Sequence, residues 1–177
     1  MKKTLLYLAL ILSIQSSISA KMLISPIDAM NKGFGDKIKI EKNDISLTNE
    51  QIKDIQNSAK VKLKNKNVTV FKALKTNKII GYGILVNRKV RSKNAVVLYM
   101  ISNDSILKSI EIIAFNEPME YIPQKSWTSH FEDKNTKEYL SLSKEIPVIT
   151  GATMSARNIV ESSREAFAVY NYILKEK

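Results

Sequence analysis

Four apolar runs in the middle of the chain, joined by short polar segments, constrain its fold more than any other feature. They span residues 68–74, 78–86, 95–102 and 106–115. Lys75-Thr76-Asn77 separates the first two, and Asn103-Asp104-Ser105 separates the last two. Gaps of this length and composition are typical of β-hairpins, because neighbouring antiparallel strands need only a tight turn between them. The sequence therefore predicts an antiparallel sheet of about four strands.

Helical patterns precede the predicted strands. Ser25-Pro26 is typical of a helix start and predicts a short helix that ends near residues 33–35. Thr48 and Gln51 fit a capping box, which predicts a second helix through about residue 60. We therefore interpret residues 21–64 as a helical N-terminal segment and residues 65–177 as the main domain.

A long helix is predicted at the C-terminal end, over about residues 155–175. Apolar and small residues recur there at helical spacing and form one continuous stripe. Burying each large member of such a stripe is worth roughly 1.5–3 kcal/mol before entropy. The predicted fold class is α+β, with the sheet packed by the N-terminal helices and by this helix. The stripe consists of Ala156, Ile159, Val160, Ser163, Ala166, Phe167, Tyr170, Ile173 and Leu174.

Residues 1–20 have the pattern of an export signal. Lys2 and Lys3 supply the positive end, residues 5–14 are apolar, and residues 15–20 are small or polar up to Ala20. The apolar run is short for a membrane span, so we expect cleavage after Ala20. An uncleaved anchor is the alternative. The expected location is the periplasm or the outer face of the cytoplasmic membrane.

The cysteine and histidine content limits the chemistry of the chain. It contains no cysteine, which excludes disulfides, thiolate-bound iron–sulfur clusters and c-type haem attachment. Its single histidine, His130, argues against a zinc or di-metal site. A redox function would therefore require an organic cofactor.

The formal net charge is +11 at pH 7. Such a charge favours acidic partners. Nucleic acid would be the first expectation for a cytoplasmic chain of this charge, but the predicted export signal favours instead an acidic redox protein or contact with an anionic membrane surface. A solvated, lysine-rich surface without a specific partner is the simpler alternative.

Thr150-Gly151-Ala152-Thr153 directly precedes the C-terminal helix. A helix start presents unpaired N–H groups and a partial positive charge, which suit a phosphate. Gly151 allows a close backbone approach, and Ala152 adds little bulk. Thr153 is a plausible attachment point, and the nearby Arg157 is a candidate phosphate partner. Ordinary helix capping by Thr153 or Ser155 is the alternative explanation.

The stretch from Thr150 to Arg157, close to the C-terminus, resembles the flavinylation motif of the FMN-binding domain family. That family includes components of the sodium-translocating NADH:quinone reductase and of the Rnf electron-transport complex. The resemblance implies that a dedicated flavin transferase uses FAD to attach FMN through its phosphate to Thr153. The strand segment Gly81-Tyr82-Gly83 and the pair Glu117-Pro118 also fit the layout of the family.

The resemblance extends over roughly residues 65–177 and implies further site residues. Glu117 is a candidate contact of the flavin, and Trp127 or one of the tyrosines is a candidate for stacking on its ring, with core packing as the alternative for each. Pro147 stands where the family usually has an aspartate, and Glu145 is a nearby acidic substitute. The remaining cofactor-binding candidates are Thr150, Gly151, Ala152, Met154, Ser155 and Arg157.

We therefore expect an exported covalent flavoprotein that carries electrons to or from a membrane-bound or periplasmic redox partner, rather than a stand-alone enzyme. One alternative is an exported binding module without a cofactor, in which the motif only caps a helix. The other is a reductase that binds flavin non-covalently.

Overall fold

The computed structural model describes residues 22–175, in which a five-stranded antiparallel sheet carries helices on both faces. The predicted export signal at residues 1–20 lies outside these residues. The strands are β1 (Lys39–Ser46), β2 (Asn67–Lys75), β3 (Lys78–Lys89), β4 (Asn94–Ser102) and β5 (Leu107–Phe115). The α-helices are α1 (Pro26–Phe34), α2 (Asn49–Ala59), α3 (Lys125–Thr128) and α4 (Thr153–Val169).

The predicted α+β class is confirmed, and the four predicted strands correspond to β2–β5, which pair with their sequence neighbours. The predicted strand count is wrong by one. β1 lies within the segment predicted to be helical and pairs along its whole length with β2. It is an edge strand rich in charged residues, so its sequence lacks the apolar alternation of an inner strand.

Helices cover the sheet on both faces. In β4, the side chains of Val97, Tyr99 and Ile101 join the core beneath α2 and α4. The alternate residues Leu98 and Met100 face α1. Because successive side chains of a strand point to opposite faces, β4 is buried along most of its length.

Gly81 and Gly83 allow α1 to approach β3 closely. A Cβ atom at Gly83 would overlap Met30, and one at Gly81 would overlap Phe34. Tyr82 lies between them and points to the opposite face of the sheet. There its ring packs edge-on against the ring of Tyr170, with 5.9 Å between the ring centroids. Gly81-Tyr82-Gly83 therefore serves to pack α1 against one face of β3 and Tyr170 against the other.

The C-terminal helix begins two residues earlier than predicted, at Thr153, and changes into a π-helical turn over Tyr170–Leu174. The predicted apolar stripe lies in the core or packs against it. At the change of helix type the Tyr170 side chain is buried, and its hydroxyl donates to the carbonyl of Asn103. This bond ties the end of the helix to the turn after β4.

Polar contacts also fix the middle of α4. The hydroxyl of Tyr99, on β4, donates to the carbonyl of Ile159 at 3.0 Å. Arg88, near the end of β3, pairs with both Glu161 and Glu165 at 2.9 Å. These contacts hold α4 in a defined position on the sheet, and with it the residues at its N-terminal end.

Candidate functional site

The motif forms a tight turn that leads directly into α4. The backbone N–H of Ala152 donates to the carbonyl of Ile149 at 3.1 Å. Gly151 has a φ of +81°, a conformation that residues with a side chain rarely adopt. Apart from Gly151 and its two chain neighbours, no atom of residues 22–175 lies within 4 Å of the position that a Cβ of Gly151 would take, so the described chain leaves the space beside the turn open.

In the part of the chain that the structure describes, no side chain caps the start of α4. Ala152 occupies the N-cap position, and no side-chain oxygen accepts from the first turn. The backbone N–H groups of Thr153, Met154 and Ser155 precede the first intrahelical donor, Ala156, which donates to Ala152. The hydroxyls of the motif therefore do not serve as the ordinary helix caps that the sequence left as an alternative.

Thr153 is exposed, and its hydroxyl donates to the carbonyl of Ile149 at a long distance of 3.3 Å. Ser155, by contrast, is only 2% exposed. Thr150 is exposed but lies outside the cleft described next. Thr153 is thus the hydroxyl of the motif that is both accessible and adjacent to a cleft.

A cleft of about 200 Å³ lies beside Thr153. Three separate parts of the chain line it: the turn after β3, the segment after β5, and the motif with the start of α4. Its volume is below the roughly 300–1,000 Å³ of sites that enclose a drug-sized ligand. The cleft would therefore hold only part of a molecule as large as FMN. Its lining consists of residues 151–155 together with Val90, Arg91, Glu117 and Tyr121.

Glu117, which the sequence names as a candidate flavin contact, lines the cleft, but its carboxylate is bonded to a neighbouring turn. It accepts backbone N–H groups from Arg91 at 3.1 Å, Ser92 at 2.6 Å and Lys93 at 2.7 Å. The Lys93 amide, helped by those of Ser92 and Arg91, holds the pKa of the Glu117 carboxyl below its usual value, although burial acts in the opposite direction.

Sequence reasoning missed Val90 and Arg91 as residues of the cleft, and it did not single out Tyr121 among the tyrosines. Within residues 22–175 the guanidinium group of Arg91 has no ion-pair or hydrogen-bond partner, so it is available to an anion. Arg91 comes from the turn after β3, and Tyr121 from a 3₁₀ turn after β5. Both are far from the motif in sequence, and no local pattern marks them as site residues.

The structure does not bring Arg157 or Trp127 to the cleft lining. Arg157 is exposed on α4, four residues after Thr153. The Trp127 ring is buried edge-on to Phe131, and its indole N–H donates to the carbonyl of Pro147 at 2.8 Å. This placement matches the packing alternative for Trp127, which here anchors the segment that leads to the motif.

Pro147, the residue at the position where the sequence departs from the motif that it resembles, contributes its carbonyl as the acceptor of the Trp127 indole N–H. Glu145 is exposed and accepts the backbone N–H of Ser141 at 2.9 Å. Its own backbone N–H and that of Ser141 lower the pKa of its carboxyl. Glu145 is not among the residues that line the cleft.

No protein-family model matches the chain, and no curated protein sequence is significantly similar to it. Between residues 22 and 175, no helix combines the length and the apolar character needed to cross a membrane. The case for a function consequently rests on the motif and on the geometry around Thr153.

Proposed function

We propose that the protein is an exported electron carrier whose FMN is attached through its phosphate to Thr153. The observation that carries this proposal is the position of Thr153. Its hydroxyl is exposed at an uncapped helix start and borders a cleft that also contains an unpaired arginine and a tyrosine. The resemblance of the motif to the flavinylation sequence supplies the identity of the attached group.

The attachment is a phosphoryl transfer that a flavin transferase would catalyse with FAD. The hydroxyl oxygen of Thr153 attacks the phosphorus of the FMN half of FAD, and its proton is released. The bond between that phosphorus and the bridging oxygen of the diphosphate breaks, and AMP leaves. No electrons are exchanged, and the protein gains the mass of FMN minus one water.

The described residues around Thr153 fit a phosphodiester. The free N–H groups of the first turn of α4 can donate to phosphate oxygens. Arg91, in the cleft, can balance the negative charge, since a guanidinium group binds phosphate with two parallel hydrogen bonds. Arg157 lies on the same side of α4 as Thr153, one turn later, and adds positive charge.

Flavin accepts electrons in pairs and releases them one at a time, which suits a relay between two redox partners. Tyr121 provides an aromatic surface in the cleft for part of the ring. Because the cleft is smaller than FMN, the rest of the ring system would remain accessible to a partner. The positive net charge favours an acidic partner or an anionic membrane surface beside it.

The attachment can be tested by denaturing electrophoresis of protein made in cells that contain a flavin transferase. The wild-type band should be fluorescent after complete unfolding, and Thr153→Val should abolish this fluorescence. Thr150→Ser is the matched control, because it retains a hydroxyl at the first position of the motif, and its band should remain fluorescent.

Two results would contradict the proposal. Flavin released from unfolded wild-type protein would indicate non-covalent binding, as in the reductase alternative. A colourless wild-type protein, with the transferase active on another target, would favour a binding module without a cofactor.

A further inference from the structure

Glu117, two residues after the end of β5, is only 8% exposed, and every side-chain hydrogen bond that it makes in the described chain goes to one turn. Three donors are backbone N–H groups of residues 91–93, and a fourth is the hydroxyl of Ser92 at 3.2 Å. Such bonds to an ionised acceptor are about twice as strong as bonds between neutral groups. The carboxylate therefore acts as an anchor for the turn between β3 and β4.

The same turn is also tied to α4. The backbone N–H of Val90 donates to the carbonyl of Lys93 at 2.8 Å, which closes the turn. The side-chain amide of Asn158, on α4, donates to the carbonyl of Lys89 at 2.9 Å. Asn158 lies on the helix that begins at Thr153, so its bond fixes the turn relative to the motif. Glu117 holds the same turn through its bonds to residues 91–93.

The turn forms one wall of the cleft. Val90 packs in a small apolar cluster with Phe115, against which Tyr121 also packs. Val90, Arg91 and Tyr121 all line the cleft beside Thr153. A displacement of the turn would therefore move both the apolar side chain of Val90 and the guanidinium group of Arg91.

We infer that Glu117 is a positioning residue: its carboxylate locks residues 91–93 so that Val90 and Arg91 face Thr153 before any ligand arrives. Its oxygens bind the turn, so it acts on the site through Arg91 and Val90 rather than by direct contact. The inference rests on the proposed function, because the wall would hold the FMN attached to Thr153.

The test compares Glu117→Gln with Glu138→Gln. Glu138 is a matched control, because its carboxylate also accepts a backbone N–H, from Asn135 at 2.7 Å, but lies outside the cleft. Glutamine keeps the shape of Glu117 and can place its oxygen where Oε1 accepts the three backbone N–H groups, but it removes the negative charge that strengthens those bonds. Its N–H₂ group then takes the place of Oε2, beside the Ser92 hydroxyl. The weakened bonds should speed hydrogen exchange of the amides of residues 91–93, in protein without flavin, by about tenfold or more.

Two further readouts use protein exposed to the transferase. With the transferase limiting, Glu117→Gln should take up flavin several-fold more slowly than wild type. Its flavin should also have a changed reduction potential, because the loosened turn no longer holds the Arg91 cation in place and the carboxylate charge is lost as well. Glu138→Gln should match wild type in all three measurements.

The inference fails if Glu117→Gln leaves exchange of residues 91–93 unchanged. It also fails if the turn loosens while flavin uptake and potential stay at wild-type values. If Glu117→Gln does not fold, Ser92→Ala removes the hydroxyl donor alone, and it should speed exchange of the same amides by a smaller factor. Wild-type protein that takes up no flavin would overturn the proposed function and this inference together, whereas normal uptake by both proteins would overturn the inference alone.

Discussion

At the scale of single residues, Thr153 differs from the other hydroxyl residues at the start of α4 in what its side chain can reach. Ser155 is buried, and Thr150 lies outside the cleft. Thr153 is exposed, borders the cleft and makes only a long hydrogen bond to Ile149. A phosphoester at Thr153 would replace one weak contact and would not disturb the core.

Gly151 is required by the backbone of the turn rather than by contacts. Gly151→Ala should lower the free energy of unfolding by about 1–2 kcal/mol, because alanine is strained at a φ of +81°. The added methyl group would meet no atom of the described chain within 4 Å beyond the adjacent residues, so the backbone strain is the whole cost. Gly151→Asn should cost less, since asparagine tolerates positive φ better. Urea denaturation measures both values. An alanine variant as stable as wild type would show that the turn is not strained in this way.

Tyr121 and Trp127 should affect the bound flavin differently. Tyr121→Ala should increase flavin fluorescence, because the phenol ring lies in the cleft, where it can quench a neighbouring flavin. Trp127→Phe should leave the flavin spectrum unchanged and lower stability by about 1 kcal/mol or more through loss of the bond to Pro147. Fluorescence of the flavinylated proteins measures the first effect. A changed flavin spectrum in Trp127→Phe, with flavin fluorescence unchanged in Tyr121→Ala, would instead place Trp127 at the flavin ring, as the family resemblance implies.

The sequence named Thr153 and Glu117 as candidate site residues, and the structure places both of them at the cleft. Arg91 could not be named from the sequence, and Tyr121 could not be singled out among the tyrosines, because the hairpin between β3 and β4 and the chain reversal after β5 bring them to the motif. The partner of Glu117 was equally hidden, since a carboxylate in the sequence does not reveal that it binds the backbone of a distant turn.

At the scale of elements, the turn between β3 and β4 should make stability depend on pH through Glu117. The pKa of its carboxyl is lowered in the folded protein, so its contribution is complete above the usual value of 4.5 and is lost as pH falls through the folded value. Glu117→Gln should therefore be less stable than wild type by about 1–3 kcal/mol at neutral pH. This difference should shrink below pH 4.5.

Urea denaturation of both proteins between pH 3 and pH 7 checks this dependence. Glu138→Gln serves as the control, because no comparable burial or triple amide contact holds its carboxylate. A stability difference that stays constant over the whole pH range would mean that the ionised form of Glu117 does not stabilise the turn.

Helices and strands with a clear local sequence pattern were predicted correctly, and β1, which lacks such a pattern, was not. The Thr48 capping box and the Ser25 cap appear as expected, because each depends on residues within one turn. β1 escaped prediction because only one of its edges pairs with a strand, and charged pairs such as Lys39–Glu41 interrupt its apolar pattern. Pairing with β2 overrides this weak local preference.

At the scale of the whole molecule, the positive charge predicts a salt-sensitive attraction to anionic surfaces. The net charge of +11 falls to about +9 if the two lysines of the predicted export signal are removed. Binding to phosphatidylglycerol vesicles should be measurable at low salt and should largely disappear near 1 M salt, where the Debye length is about 3 Å. Co-sedimentation measures this binding, with neutral phosphatidylcholine vesicles as the control. Equal binding to both vesicle types would contradict an electrostatic attraction.

The central claim is that Thr153 carries FMN, and its most direct test is intact-mass spectrometry with peptide mapping. The protein should be purified from cells that contain a flavin transferase. We predict an added mass equal to FMN minus one water, located on the peptide that contains Thr153 and absent from Thr153→Val. An unmodified mass, with the transferase shown to modify another target in the same cells, would contradict the claim.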